Sequence, residues 1–194
     1  MMDKDLLLQY IQEKVSISEQ EFETFAHQFD TIVIKKKTNL IVEEKLNDRI
    51  YFVQKGLLYA YKTLEDGNTQ VIQFAKESNW ISDLYSFFSS SKALFTVQTL
   101  EDCELLSITK KQFDNICENY PNMEKFFRLI FQTAYVNTLQ RLSDAYSEDA
   151  ETKYNHFITH HNQLTQRMPQ YLIASYLGIL PSSLSRIRNK KLRR

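Results

Sequence analysis

The feature that most restricts the fold is a run of about eighty residues in which the apolar period is that of strands, bracketed by helical patterns. From Asp30 onward, "TIVIKKKTNLIVEE", "RIYFVQKGLLYAYKTL", "TQVIQFAKE" and "ALFTVQTLEDCELLSI" are rich in Val, Ile, Phe, Tyr and Thr and are expected to be strands. "EDGN" at 65–68 is a hairpin signal, because Asp-Gly accepts the positive φ values of a tight turn. Residues 5–29 are expected to be helical. Ser18 stands three residues before Glu21, a capping-box spacing, and Phe22, Phe25, Ala26 and Phe29 recur at helical spacing as core. Helical pattern returns at "KKQFDNICENY" and runs from Pro121 to about Tyr146. The fold class is therefore α+β.

The long segment from Pro121 would span about 39 Å at 1.5 Å per residue. Met123, Phe127, Ile130 and Ala134 form one apolar stripe, and Phe131, Tyr135, Leu139, Leu142 and Tyr146 form another. Two stripes need two partners: the strand domain for one, and for the other the same helix of a second subunit. The Met123, Phe127, Ile130, Ala134 stripe is assigned to a homodimer interface. A monomer helix sandwiched within its own chain is the alternative.

Charge is distributed unevenly. The 24 acidic and 24 basic side chains cancel, yet every Asp and Glu lies at or before Glu151. The first 151 residues hold 16 basic against 24 acidic side chains, a net of −8, and the last 43 carry +8. Such a split points to a C-terminal element that faces a polyanion, with a solvated basic tail as the plain alternative.

"QYLIASYLGILPSSLSRIRNKKLRR" at 170–194 meets the demands of a helix-turn-helix. Ala174 is the small residue at the crossing and Gly178, four further on, supplies the turn. Ile173, Leu177, Ile179, Leu184 and Ile187 fall on the inner faces, and Pro169 and Pro181 sit where missing N–H groups cost nothing. Leu180 would occupy the second helix's N-cap, a weak cap by about 1 kcal/mol. The second helix would present Ser182, Ser183, Ser185, Arg186 and Asn189 to a major groove, with Arg186 either reading guanine or clamping phosphate. Arg188, Lys190, Lys191, Arg193 and Arg194 suit phosphate contacts. The expected partner is double-stranded DNA.

A helical N-terminal piece, a run of strands, a long dimer-type helix and "RMPQYLIASYLGI" followed by "SSLSRIR" together resemble the Crp/Fnr family of bacterial transcription regulators, especially short members from Bacteroidetes. The resemblance implies an N-terminal double-stranded β-helix (jelly-roll-like) sensor domain of cyclic-nucleotide-binding type over 1–120, a dimerisation helix over 121–147 and a DNA-binding domain over 148–194. It implies RNA polymerase as a further partner. Relatives commonly continue into a β-wing after the second helix, whereas about five residues follow it here.

Relatives that bind cyclic nucleotides carry Gly-Glu, in which Glu holds the ribose 2′-OH, and ten residues on an Arg followed by Ser or Thr that pairs with the phosphate. Anchored on "CE" at 103–104, those slots hold Ser82-Asp83 and Ala93-Leu94, with Lys92 adjacent as a point charge. A buried phosphate without its charge partner is costly, so cyclic AMP is not expected as a ligand and no cofactor is assigned. Trp80, Phe74, Phe87, Phe88 and Phe95 either fill the β-domain or line an apolar pocket for another ligand; the candidate pocket residues are Trp80, Ser82, Asp83 and Lys92.

The function expected is a homodimeric, sequence-specific DNA-binding transcriptional regulator. A ligand-binding or protein-docking β-domain whose terminal helices serve assembly is the alternative. An enzyme is not expected, because the chain has only Gly56, Gly67 and Gly178 and no phosphate-cradling loop. Cys103 and Cys117 stand 14 apart with no further cysteine, which argues for buried thiols. His27 alone makes no haem site, and His156 with His160 at i, i+4 lack a further ligand, so no metal is assigned. The N-terminus carries no secretory pattern and no stretch is long enough to span a membrane, so a cytoplasmic location and no membrane partner are expected.

Overall fold

The computed structural model describes residues 4–192, with side chains to Lys190, and the chain divides into two compact units. The first comprises residues up to Lys62 and Gln73–Gln132. Two short helices, α1 (Asp5–Gln12) and α2 (Glu19–Ala26), open it. Ser18 caps α2 as its spacing predicts, its Oγ accepting the Glu21 N–H at 3.1 Å.

Eight strands follow: β1 (Asp30–Ile34), β2 (Asn39–Ile41), β3 (Arg49–Lys55), β4 (Leu58–Thr63), β5 (Thr69–Ala75), β6 (Trp80–Ile81), β7 (Thr96–Thr99) and β8 (Cys103–Thr109). They form two four-stranded sheets, ordered β1-β8-β3-β6 and β2-β7-β4-β5. Every pairing with a recorded register is antiparallel. Apart from the β4–β5 hairpin, consecutive strands lie in different sheets, as in a jelly-roll-like double-stranded β-helix. A six-residue helix, α3 (Leu84–Ser89), interrupts the strand run between β6 and β7. Its sequence, LYSFFS, has too few turns to show a period, which is why the sequence pattern misses it.

Helix α4 (Lys110–Asn119) starts on a full capping box between Thr109 and Gln112, and α5 spans Pro121–Ser147. The first half of α5 closes the core of this unit. Met123, Phe126, Phe127 and Ile130 are buried there with Ile50, Phe52, Leu106, Ile108 and Phe113. Rings set the packing: Phe127 lies 4.7 Å from Phe113 and 5.5 Å from Trp80, centroid to centroid.

The stripe assigned to the dimer is therefore corrected. Met123, Phe127 and Ile130 face their own β-roll, while Ala134 is exposed. Large apolar side chains lie exposed further along α5, at Tyr135, Val136, Leu139, Leu142 and Tyr146. Helical periodicity yields stripes without saying which one the chain itself consumes, and the run of Phe residues in the first half decided it.

The second unit comprises Thr63–Ile72, at the tip of the β4–β5 hairpin, with Thr133–Arg194. It contains the rest of α5, α6 (Ala150–Arg167), α7 (Gln170–Leu177) and α8 (Pro181–Leu192). Asp149 caps α6 by accepting the Thr152 N–H at 2.8 Å, and the helix kinks at His161. Its core holds Tyr154, Phe157, Leu164, Met168, Leu172, Ile173, Ala174, Leu184 and Ile187.

Gly56, between β3 and β4, has φ of +104°, and a Cβ there would meet Cys103 Sγ at 2.6 Å and the Asp102 carbonyl at 2.7 Å. Gly56→Ala should lower stability by about 1–3 kcal/mol or more. Gly67→Ala, whose Cβ meets open space, should cost less. Thermal unfolding of both variants checks the order.

Candidate nucleic-acid interface and sensor pocket

The α7–α8 pair is built from local backbone rules. Gly178 ends α7 with φ of +65°, the left-handed cap that only glycine adopts without strain. The Ile179 N–H then returns to the Ala174 carbonyl at 3.0 Å, and the chain re-enters helix at Pro181. Ala174 is fully buried, which permits close approach, while Ile173, Leu184 and Ile187 fill the inner faces. Leu180, preceding α8, is 70% exposed. Ser175 fastens α7 to the hairpin tip: its Oγ accepts the Val71 N–H at 2.9 Å and donates to the Thr69 carbonyl at 2.8 Å.

With Leu184 and Ile187 buried, the opposite face of α8 carries Ser182, Ser185, Arg186 and Asn189 at i, i+3, i+4 and i+7, all exposed. Ser183 and Arg188 are half-buried at its flank. A groove of about 220 Å³ brings Ser185, Arg188 and Asn189 together with Gln170, Pro181 and Leu184. Gln170, whose buried Oε1 has no partner among the described residues, was not singled out by the sequence.

Lys190 is exposed but paired. Its Nζ lies 2.9 Å from Glu151, the last acid in the chain, which the fold returns to α8. The side chain of Lys191, and Arg193 and Arg194, lie outside the described residues.

The four sensor-pocket residues do not converge on one cavity. Trp80 packs among Phe29, Phe52, Phe126 and Phe127, as core. Ser82 is buried, with its Oγ donating to the Arg49 carbonyl at 2.7 Å and accepting from Asn47 Nδ2 at 3.0 Å. Asp83 is fully buried: Oδ1 accepts the Ser86 N–H at 2.8 Å, and Oδ2 accepts the N–H groups of Leu94 at 2.6 Å and Phe95 at 3.3 Å. Lys92 is exposed and lies 3.3 Å from Glu44. Alignment of slots identified Asp83 but gave no sign that its oxygens are consumed by backbone.

Burial pushes the Cys103 and Cys117 thiols up to about 11, so both remain neutral rather than thiolate ligands. Among the described residues no group of His, Cys, Asp or Glu is arranged to hold a metal, and no helix is long and apolar enough to cross a membrane.

Residues 31–120 match the family model of the cyclic nucleotide-binding domain. The chain as a whole has the fold of Crp/Fnr-type regulators. A solved protein of Eubacterium rectale described as a transcriptional regulator of that family aligns at TM-score 0.66 and 12% identity, over 91% of this chain and 85% of its own. FixK2 of Bradyrhizobium japonicum aligns at TM-score 0.74 and 14% identity, over 84% and 83%. Among curated proteins, ycf28 of Porphyra purpurea, which carries the name of an HTH-type transcriptional regulator, is 25% identical over 143 residues. That match takes in 73% of this chain and about half, 53%, of the relative's length.

A thiol whose folded value is raised stabilises the fold in full below its ordinary value of 9.0, and that contribution is lost as pH rises through about 11. Accordingly, thiol reagent at pH 8 should label Cys103 and Cys117 at least tenfold more slowly in the native chain than in guanidinium, with absorbance of the released thiolate as the readout.

Proposed function

We propose that the chain is a homodimeric, sequence-specific DNA-binding transcriptional regulator of the Crp/Fnr type whose sensor unit does not take cyclic AMP. The observation that carries this reading is the polar face of α8, where Ser182, Ser185, Arg186 and Asn189 stand exposed on a helix anchored through Leu184 and Ile187. A face meant for assembly would be apolar, whereas this one offers hydroxyls, an amide and a guanidinium, the groups that pair with base edges. The names of ycf28 and of the Eubacterium rectale protein, both transcriptional regulators, favour the same class. Such a regulator works in the cytoplasm, where it engages promoter DNA and either recruits or excludes RNA polymerase.

Dimerisation is supported by the exposed second half of α5. Tyr135, Leu139, Leu142 and Tyr146 recur at 4, 3 and 4 residues, the a/d seam of a two-stranded coil. The rejection of cyclic AMP is supported by the sensor unit: Ala93 and Leu94 bring no positive charge, Lys92 is held by Glu44, and both Asp83 oxygens already accept backbone bonds.

The direct test is duplex binding at two salt concentrations. Wild type should bind a selected site more tightly at low salt, with log affinity falling linearly in log salt. Arg186→Ala should weaken the selected site by about 1–3 kcal/mol if Arg186 reads guanine, and should relax preference at one position of each half-site. Glu151→Gln, which frees Lys190, should tighten binding slightly at low salt and steepen the salt slope. Absence of binding at low salt would reject the reading.

Leu142→Asp should yield monomers in sedimentation with an intact fold, and should weaken DNA binding through lost half-site avidity. A variant that stays dimeric would reject this seam.

A further inference from the structure

Asp83 does more than start a short helix. An isolated buried carboxylate is costly, and this one is stabilised by three N–H donors drawn from two separate pieces of chain. Ser86 donates from the first turn of α3, while Leu94 and Phe95 donate from the residues that lead into β7. A second tie lies beside it. Ser86 Oγ accepts the Asn47 N–H at 2.9 Å and donates to the Ser91 carbonyl at 2.6 Å. Ala93 is fastened on its other side, its N–H reaching the Lys45 carbonyl at 2.7 Å and its carbonyl accepting from Glu44 at 3.0 Å. Residues 91–95 are thus closed onto α3 around one negative charge supplied by the chain itself.

We propose that the Asp83 carboxylate is the built-in anion of the sensor unit, holding the segment between α3 and β7 in its ordered form without any external ligand. The inference rests on the reading that this unit takes no cyclic nucleotide, and deepens it: the N–H groups of Leu94 and Phe95 are engaged by the chain's own carboxylate rather than left open to an outside anion. Closed in this way, residues 91–95 keep their order with no nucleotide bound.

The test separates a helix cap from a strut. In Asp83→Asn the amide oxygen still caps Ser86, but the Nδ2 hydrogens face the donors of Leu94 and Phe95. Amide hydrogen exchange of the full chain, read by NMR, should then quicken at least tenfold at Leu94 and Phe95 while Ser86 and Phe87 keep their protection. Asp83→Ser keeps a cap and empties the second oxygen's place. Formate, the smallest carboxylate probe, should raise its Tm saturably and slow exchange at Leu94 and Phe95, whereas wild type should respond no more to formate than to chloride at equal ionic strength.

Unchanged exchange at Leu94 and Phe95 in Asp83→Asn would overturn the proposal, as would a formate response in Asp83→Ser no larger than wild type's. If Asp83→Ser does not fold, the exchange rates of Asp83→Asn decide. Cyclic AMP binding by wild type would overturn the reading beneath the proposal, and it is scored by titration, apart from these exchange rates.

Discussion

The packing of the first half of α5 onto the β1-β8-β3-β6 sheet is the constraint on which the rest of the arrangement depends. Phe126 and Phe127 are almost wholly buried, and rings from α5, α4 and β6 meet at centroid distances of 4.7–6.3 Å. Each such side chain would cost about 3–5 kcal/mol to remove, so the face of α5 that meets the roll is not open to choice. With that face consumed, the helix leaves the first unit at about Gln132 and offers a different stripe, Tyr135 to Tyr146. It is this exposed stripe, left over once the core is filled, that the proposed dimer would bury.

Much of this was legible in the sequence because the relevant signals are local. The change of period at Asp30 marks β1, Ser18 marks the start of α2, and Gly178 marks the turn between α7 and α8. Each depends on backbone geometry within a few residues. What was hidden depends on distance. Choosing between two stripes on α5 requires knowing where the Phe-rich core lies. The pairing of Lys190 with Glu151 joins residues 39 apart, so a stretch free of acids in sequence is not free of them in space. The role of Asp83 is also non-local, since two of its three donors lie 11 and 12 residues away.

The two units present opposite uses of polar chemistry. In the first unit, Asn47, Ser82, Asp83 and Ser86 turn inward and satisfy one another or the backbone. In the second unit, polar groups on α8 turn outward because Leu184 and Ile187 fill the inner face. Buried and satisfied polar groups specify one fold; exposed and convergent ones are free to read a partner.

The central claim, that this chain reads DNA as a dimer without a nucleotide, is tested most directly by hydroxyl-radical footprinting of the purified full-length chain on duplexes selected from a random pool, with no nucleotide added. The account predicts two protected half-sites related by an inverted repeat, with centres about one helical turn apart or a multiple of it. A single protected half-site, or no site until a cyclic nucleotide is supplied, would contradict it.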